Sequence, residues 1–267
     1  MPQPLIDTAH ALADAARRET LAHFRRTGLG ADNKAASGFD PVTEGDRAAE
    51  AAMRAILAER RPGDGIFGEE FGRSEGTTGL TWVLDPIDGT RGFLSGTPTW
   101  GVLIAACEGT RPVYGIIDQP FIGERFEGGL GTARYSGPQG SAPLAARKGV
   151  PLSEAILFST FPEVGSPREG ELFRRVSSQA RLTRYGTDCY AYGLLALGHV
   201  DLVIEAGLQR YDVAGPIAVI EAAGGVVTNW TGGSADEGGR LVAAGSAALH
   251  AEVLEILSQV AGAEGAA

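Results

Sequence analysis

Trp82-Val83-Leu84-Asp85-Pro86-Ile87-Asp88-Gly89-Thr90 joins an apolar run to two carboxylates that bracket a proline, with Gly-Thr directly behind. The pattern predicts a buried strand ending near Leu84, because Pro86 brings no N–H to a ladder and Gly89 permits a tight turn. Asp85 and Asp88 then stand where the strand stops and the backbone turns. Such a corner suits Mg²⁺, which takes one or two carboxylates together with waters and substrate phosphate. The Ile87 carbonyl offers a further oxygen, and the N–H groups of Gly89 and Thr90 face a phosphate if they open a helix or a nest. Taken alone, the stretch also reads as an ordinary Asp-Pro turn before a capped helix.

The surrounding chain has 267 residues, 43% hydrophobic and 21% charged, which is enough for a sizeable core in one large domain or two modest ones. Its formal net charge of -10 weighs against nucleic acid or an anionic membrane as a partner. No apolar run reaches the roughly 18 residues of a membrane span. The N-terminus lacks a basic segment followed by an apolar one, so a cytoplasmic location is expected. Cys107 and Cys189 lie far apart without metal-ligand spacing and read as buried free thiols. His10, His23, His199 and His250 form no zinc-like cluster.

Upstream of the core stretch, apolar residues recur at helical spacing from Leu5 to Phe24. Thr27 to Phe39 has loop or hairpin composition. Thr43 and Asp46 resemble a capping box at the start of a helix over 47–60, with Asp46 and Glu50 on one face. This suits a well-capped surface helix, and it also suits a threonine and an acid reaching into a neighbouring site. Ile66-Phe67-Gly68-Glu69-Glu70 is a short strand running into paired carboxylates, able to stand beside the strand that ends at Asp85.

Downstream, 101–107 and 113–118 read as a hairpin. The glycine-rich, weakly apolar stretch from Glu127 to Ser141 reads as a domain junction or flexible flap. Strands are expected at 156–159, 182–185, 200–205, 226–228 and 241–244. Helices are expected at 170–180, 189–197, 212–223 and 247–260. This alternation predicts an α/β arrangement, with an α+β N-terminal region over 1–137 carrying most of the acids and an α/β C-terminal region over 138–267. Asp212, after Tyr211, reads by itself as the N-cap of an apolar helix.

The acids form a set: Asp46, Glu69 with Glu70, Asp85 with Asp88, and Asp212. With them, four segments resemble the inositol monophosphatase superfamily of metal-dependent phosphatases. These are Asp40-Pro41-Val42-Thr43-x-x-Asp46, Gly68-Glu69-Glu70, Trp82 through Thr90, and Tyr211-Asp212-Val213-Ala214 followed by Glu221-Ala222-Ala223-Gly224-Gly225. They occur in the family's order between residues 40 and 225.

The resemblance implies a layered α-β-α-β-α sandwich, a small phosphorylated substrate, a homodimer, and two or three Mg²⁺. It implies Glu69, Asp85 and the Ile87 carbonyl on one ion, and Asp85, Asp88 and Asp212 on a second. Glu70 and Asp46 become outer partners or third-metal ligands. It further implies phosphomonoester hydrolysis by metal-assisted in-line attack of water, in which Glu69 takes part, Thr90 orients the water and its proton passes toward Asp46 through Thr43. Asp88, Gly89 and Thr90 would hold the phosphate.

Arg91-Gly92-Phe93, Gly101 to Ala106, Gly115 to Pro120 and Tyr185 to Tyr192 look most similar to bacterial histidinol-phosphate phosphatases. In that reading Asp188 and Glu205 face a cationic leaving group, with Arg184 at the phosphate or the rim, or equally in a surface salt bridge. An inositol phosphatase, a nucleotide 3'-phosphatase of the same superfamily, and a catalytically idle metal- and anion-binding regulator are the alternatives. Gly45 stands where relatives commonly have alanine, which could loosen the helix start. Ser37 stands where they often have an acid, which puts a third metal in doubt.

Overall fold

In the computed structural model, which describes residues 3–26, 32–33 and 41–260, side-chain alternation along the strands sorts the apolar residues into distinct layers. The N-terminal half runs α1 (Gln3–His23), β1 (Asp32–Asn33), β2 (Pro41–Val42), α2 (Glu44–Arg60), β3 (Gly65–Gly68), β4 (Gly72–Ser74), β5 (Leu80–Asp88), α3 (Thr90–Ser95), β6 (Gly101–Glu108), β7 (Arg111–Gln119), β8 (Glu124–Gly129), β9 (Thr132–Gly137) and β10 (Gly140–Pro143). The C-terminal half runs β11 (Ile156–Ser159), α4 (Pro167–Ser177), β12 (Leu182–Tyr185), α5 (Tyr190–Ala196), β13 (Leu202–Leu208), α6 (Arg210–Ala222), β14 (Val226–Thr228), β15 (Gly239–Ala244) and α7 (Ala247–Leu257). β1 pairs with β2, while Ser37, Asp40 and most of the loop expected from Thr27 to Phe39 lie outside the described residues.

The large sheet has the order β10-β9-β8-β7-β6-β5-β3-β4 and is antiparallel apart from β3 beside β5. Trp82 and Leu84 of β5 point to one face and pack with Leu12, Ala16, Met53 and Leu57 of α1 and α2. Val83, between them, points to the other face and meets Ala214 of α6. The second sheet has the order β12-β11-β13-β15-β14. It turns Val203, Leu241 and Ala243 toward α5 and α6. Leu202, Ile204, Val242 and Ala244 point the other way, toward α4 and α7. The result is the α-β-α-β-α sandwich, with α5 and α6 as its central layer.

Close approach of α6 to the large sheet depends on missing side chains: a Cβ on Gly128 would lie 2.5 Å from Val219 Cα, and one on Gly115 2.4 Å from the Gly215 carbonyl oxygen. An ordinary side chain at either position would push the helix off the sheet.

Three expectations change. β5 does not stop at Leu84 but runs through Pro86 to Asp88, with a register shift between Asp85 and Asp88 that absorbs the missing proline N–H as a bulge. The stretch 127–141 is no flap: it supplies β8, β9 and the start of β10, its glycines serving the turns, as Gly131 (φ 83°) and Gly140 (φ 119°) do. The first sheet therefore extends past residue 137. Finally, α4 begins earlier than expected, because Ser166 and Glu169 close a capping box ahead of the apolar face.

Candidate active site

The bulge in β5 sets Asp85 and Asp88 near one another, and the start of α6 brings up Asp212. Oxygens of these three carboxylates lie within 4.8 Å of one another. Local bonds hold each in place. Asp85 accepts from the Ile87 N–H (3.0 Å), Asp88 from the Cys189 N–H (2.7 Å), and Asp212 from the Gln209 N–H (2.6 Å). The last bond makes Asp212 the third residue of its helix, in a capping box with Gln209, and not the N-cap itself. Gly89, at φ 84°, turns the chain out of β5, and Thr90 opens α3 with its hydroxyl donating to the Ile87 carbonyl (3.1 Å).

Three acids packed this way, with Glu69 beside them in the cavity lining, oppose one another. Burial, then the charges of Glu69, Asp88 and Asp212, push Asp85 well above the usual carboxylate range. Burial, then Asp212 and Asp188, do the same to Asp88. Asp212 is pushed up to about 7, by burial first and by Glu69 and Glu205 beyond the relief from its backbone bond. A cluster of buried and half-buried, all-oxygen, mutually repelling donors is what a hard divalent cation neutralises. The residues present therefore fit Mg²⁺.

Behind this cluster the α2 cap is intact despite Gly45. Asp46 accepts from the Thr43 N–H (2.8 Å) and hydroxyl (2.5 Å), and the Gly45 N–H donates to the Thr43 oxygen (3.1 Å). Asp46 is 1% exposed, and its second oxygen has no hydrogen-bond partner among the described residues. Burial pushes it up to about 6 against the Thr43 bonds, with Glu69 adding to the rise. Helix α2 is thus not only a capped surface helix, since its first turn lies beneath the acids.

The cluster floors a cavity of about 290 Å³ that is lined by Glu69, Asp85, Ile87, Asp88, Gly89, Thr90, Asp188, Glu205 and Asp212 of the residues singled out from sequence. Glu205 is buried, accepting from the Thr160 N–H (2.9 Å), the Thr160 hydroxyl and the Tyr192 hydroxyl (2.5 Å). Burial raises it, and these bonds only partly offset the rise. Asp188 sits in left-handed backbone conformation (φ 45°). Its carboxyl lies so close to Gly89 that a Cβ there would come within 2.6 Å of Cγ.

Four candidates do not line the cavity. Thr43 and Asp46 lie behind it in the α2 cap, Arg184 is exposed on β12, the edge strand of its sheet, and Glu70 lies outside the lining, its backbone N–H donating to Glu50 (2.7 Å). The wall also includes Arg91 and Tyr192, quoted from sequence only within the subgroup resemblance and given no role there, and Thr160, Phe161 and Glu163, which carried no motif. Glu50 was also missed as a site residue. It is fully buried, takes the N–H groups of both Glu70 and Phe71, and pairs with Arg54 (2.7 Å), bracing the turn that presents Glu69. Gly68 makes room for it, since a Cβ there would lie 1.9 Å from the Glu50 carboxylate.

A layered sandwich with a buried oxygen cluster beside a substrate-sized cavity defines a metal-dependent phosphatase. Comparison with known proteins agrees: the inositol monophosphatase family profile matches residues 1–261. The chain is 39% identical over 260 residues to the chloroplastic bifunctional phosphatase IMPL2 of Arabidopsis thaliana, covering 93% of this chain and 73% of that protein. It is 37% identical over 254 residues to the histidinol-phosphatase of Mycobacterium tuberculosis, covering 94% and 96%. The solved structure of an inositol monophosphatase from Zymomonas mobilis superimposes with a TM-score of 0.84 at 40% identity, over 96% of this chain and 98% of that one. The chain belongs to the inositol monophosphatase family.

Proposed function

We propose that this phosphatase hydrolyses L-histidinol phosphate, using Mg²⁺ held by Glu69, Asp85, the Ile87 carbonyl, Asp88 and Asp212. The observation that carries the substrate reading is the charge of the cavity wall beyond the metal cluster. Asp188, Glu205 and Glu163 line that side against Arg91, a formal surplus of two negative charges among the lining residues. Histidinol phosphate brings an ammonium and an imidazole that can be protonated. The surplus favours such a leaving group over a neutral polyol. The histidinol-phosphatase relative, similar over nearly its whole length, supports the same reading.

When bound, the Mg²⁺ ions would supply a water that is nucleophilic at neutral pH and a counter-charge for the departing oxygen. The chain's own residues do the rest. The N–H groups of Gly89 and Thr90, with Asp88 beside them, hold the phosphate end, and the Thr90 hydroxyl, tied to the Ile87 carbonyl, is fixed for orienting the attacking water. Asp46, at about 6 and bonded to the Thr43 hydroxyl, has the affinity of a proton acceptor that works near neutrality. Asp188 and Glu205 hold the leaving group, each fixed by its hydrogen bonds.

Inositol monophosphate is the second reading, because the Thr160 and Tyr192 hydroxyls around Glu205 offer the polar groups a polyol uses. The experiment is a comparison of kcat/KM for histidinol phosphate and inositol 1-phosphate at saturating Mg²⁺, with wild type and Asp188→Ala. Histidinol phosphate should be preferred, and the substitution should cut its turnover far more than that of inositol phosphate. Preference for inositol phosphate, or equally feeble rates on both, would overturn the reading.

A further inference from the structure

The mouth of the cavity carries a cation of its own. Arg91 is exposed in the first turn of α3, and its guanidinium carbon lies 5.0 Å from the centroid of the Phe161 ring. Phe161 follows β11 in the other sheet layer, so the pair spans the opening between the two halves of the sandwich. The ring itself is 45% exposed. Arg91 also acts on Asp188: burial raises that carboxyl, and the Thr99 hydroxyl (3.2 Å) and the Arg91 charge draw it back. Asp188 cannot follow a departing partner, because its left-handed backbone, the Thr99 bond and the contact with Gly89 fix it.

A fixed carboxylate and an aromatic face are the two partners an organic cation seeks. In this protein the aromatic face already serves a side chain that reaches it from the solvent side, on the wall that the carboxylate shares.

We propose that Arg91 is a resident substitute for the substrate's cation: it covers the Phe161 face on the cavity wall that Asp188 shares in the free enzyme, and a phosphate ester with a positively charged leaving group displaces it. This rests on the reading that the leaving group is cationic. Release costs little, because the guanidinium moves from a partly exposed position into water. A neutral leaving group offers nothing to either partner and leaves Arg91 in place. The pair thus acts as a charge filter at the mouth. It also has an unusual sign, since deleting the arginine improves the cationic substrate.

The test compares wild type, Arg91→Gln and Arg91→Lys on an ω-aminoalkyl phosphate and the uncharged alkyl phosphate of the same length, each with Mg²⁺. Taking the ratio of the two kcat/KM values cancels any effect on the shared phosphate. Arg91→Gln should raise the charged-to-neutral ratio about three- to fivefold, through KM, and the gain should shrink as salt increases. Arg91→Lys should stay near wild type. In the Arg91→Gln background, Phe161→Leu should take back about two- to fivefold of the gain. An unchanged or lowered ratio overturns the proposal. So does an equal loss on both esters, which would assign Arg91 to the phosphate. Poor turnover of histidinol phosphate with the expected ratios would remove the substrate reading and leave the filter standing.

Discussion

Glu50→Gln is the sharpest probe of how the floor of the site is held. The glutamate is fully buried on α2, with one oxygen accepting from the Phe71 N–H (3.2 Å) and Arg54 Nε (2.7 Å), and the other from the Glu70 N–H (2.7 Å). Glutamine keeps the shape but replaces one of these acceptors with an NH₂ group. Whichever way the amide turns, a donor then faces a donor and Arg54 loses its counter-charge. Removing one partner of a buried pair costs about 3–5 kcal/mol. Arg54 is 18% exposed and keeps the Gly72 carbonyl and the Ser74 hydroxyl, which places the cost at the lower end, about 3 kcal/mol.

In a chain of this size each kcal/mol moves the melting midpoint by about 2–4 °C, so the variant should melt roughly 6–12 °C lower. Because the two N–H groups belong to the residues directly after Glu69, the Mg²⁺ concentration for half-maximal activity should also rise, by about tenfold, the usual size for loss of an outer support. Thermal melts and Mg²⁺ activation curves measure both. A variant that melts with wild type and keeps its Mg²⁺ midpoint would refute the bracing role.

The remaining predictions concern the acids themselves. Asp85→Asn should raise the melting midpoint of metal-free protein, because it removes a buried charge opposed by Glu69, Asp88 and Asp212. The same variant should lose Mg²⁺-induced stabilisation and about two orders of magnitude or more of turnover; calorimetric binding of Mg²⁺ at wild-type strength would contradict the ligand role. Asp46 at about 6 and Asp212 at about 7 hold protons more tightly folded than unfolded. Their contribution is full below the unfolded value near 4 and is lost as pH rises through 6 and 7. In chelator, the melting midpoint should therefore fall between pH 5 and 7.5, a window above that of the depressed carboxyls Asp64, Glu127 and Glu169, and added Mg²⁺ should recover most at the upper end. A rising midpoint across that window would contradict the packing of the cluster.

Much of the site's floor can be read locally. Asp85, Ile87, Asp88, Gly89 and Thr90 belong to one strand-to-helix corner, and Thr43 with Asp46 forms one capping box, so a few consecutive residues specify each geometry. Even there the proline misled. An N–H missing from the ladder predicts a strand end, whereas the neighbouring strand accommodates it as a bulge, which is a property of the pair and not of either segment. Glu50 shows the same limit. An acid four residues into a polar-looking helix reads as solvated until the β3–β4 turn is laid against it.

The sequence by itself determined the α/β alternation, because period-2 and helical patterns, caps and turns are short-range chemistry, and its four motifs, through their resemblance to the inositol monophosphatase superfamily, implied the layered fold and the acids of the floor. Only the tertiary structure decided the wall of the cavity. Arg91, Phe161 and Tyr192 join Asp188 and Glu205, the two wall acids named from sequence, because two sheets close on α5 and α6, the glycine-cleared approach of α6 setting its distance from the large sheet. It also left Arg184, which sequence placed equally at the rim or on the surface, exposed on the edge strand β12 and outside the cavity lining. Contacts between residues far apart in the chain depend on packing distance and strand order, and neither is encoded in any one segment.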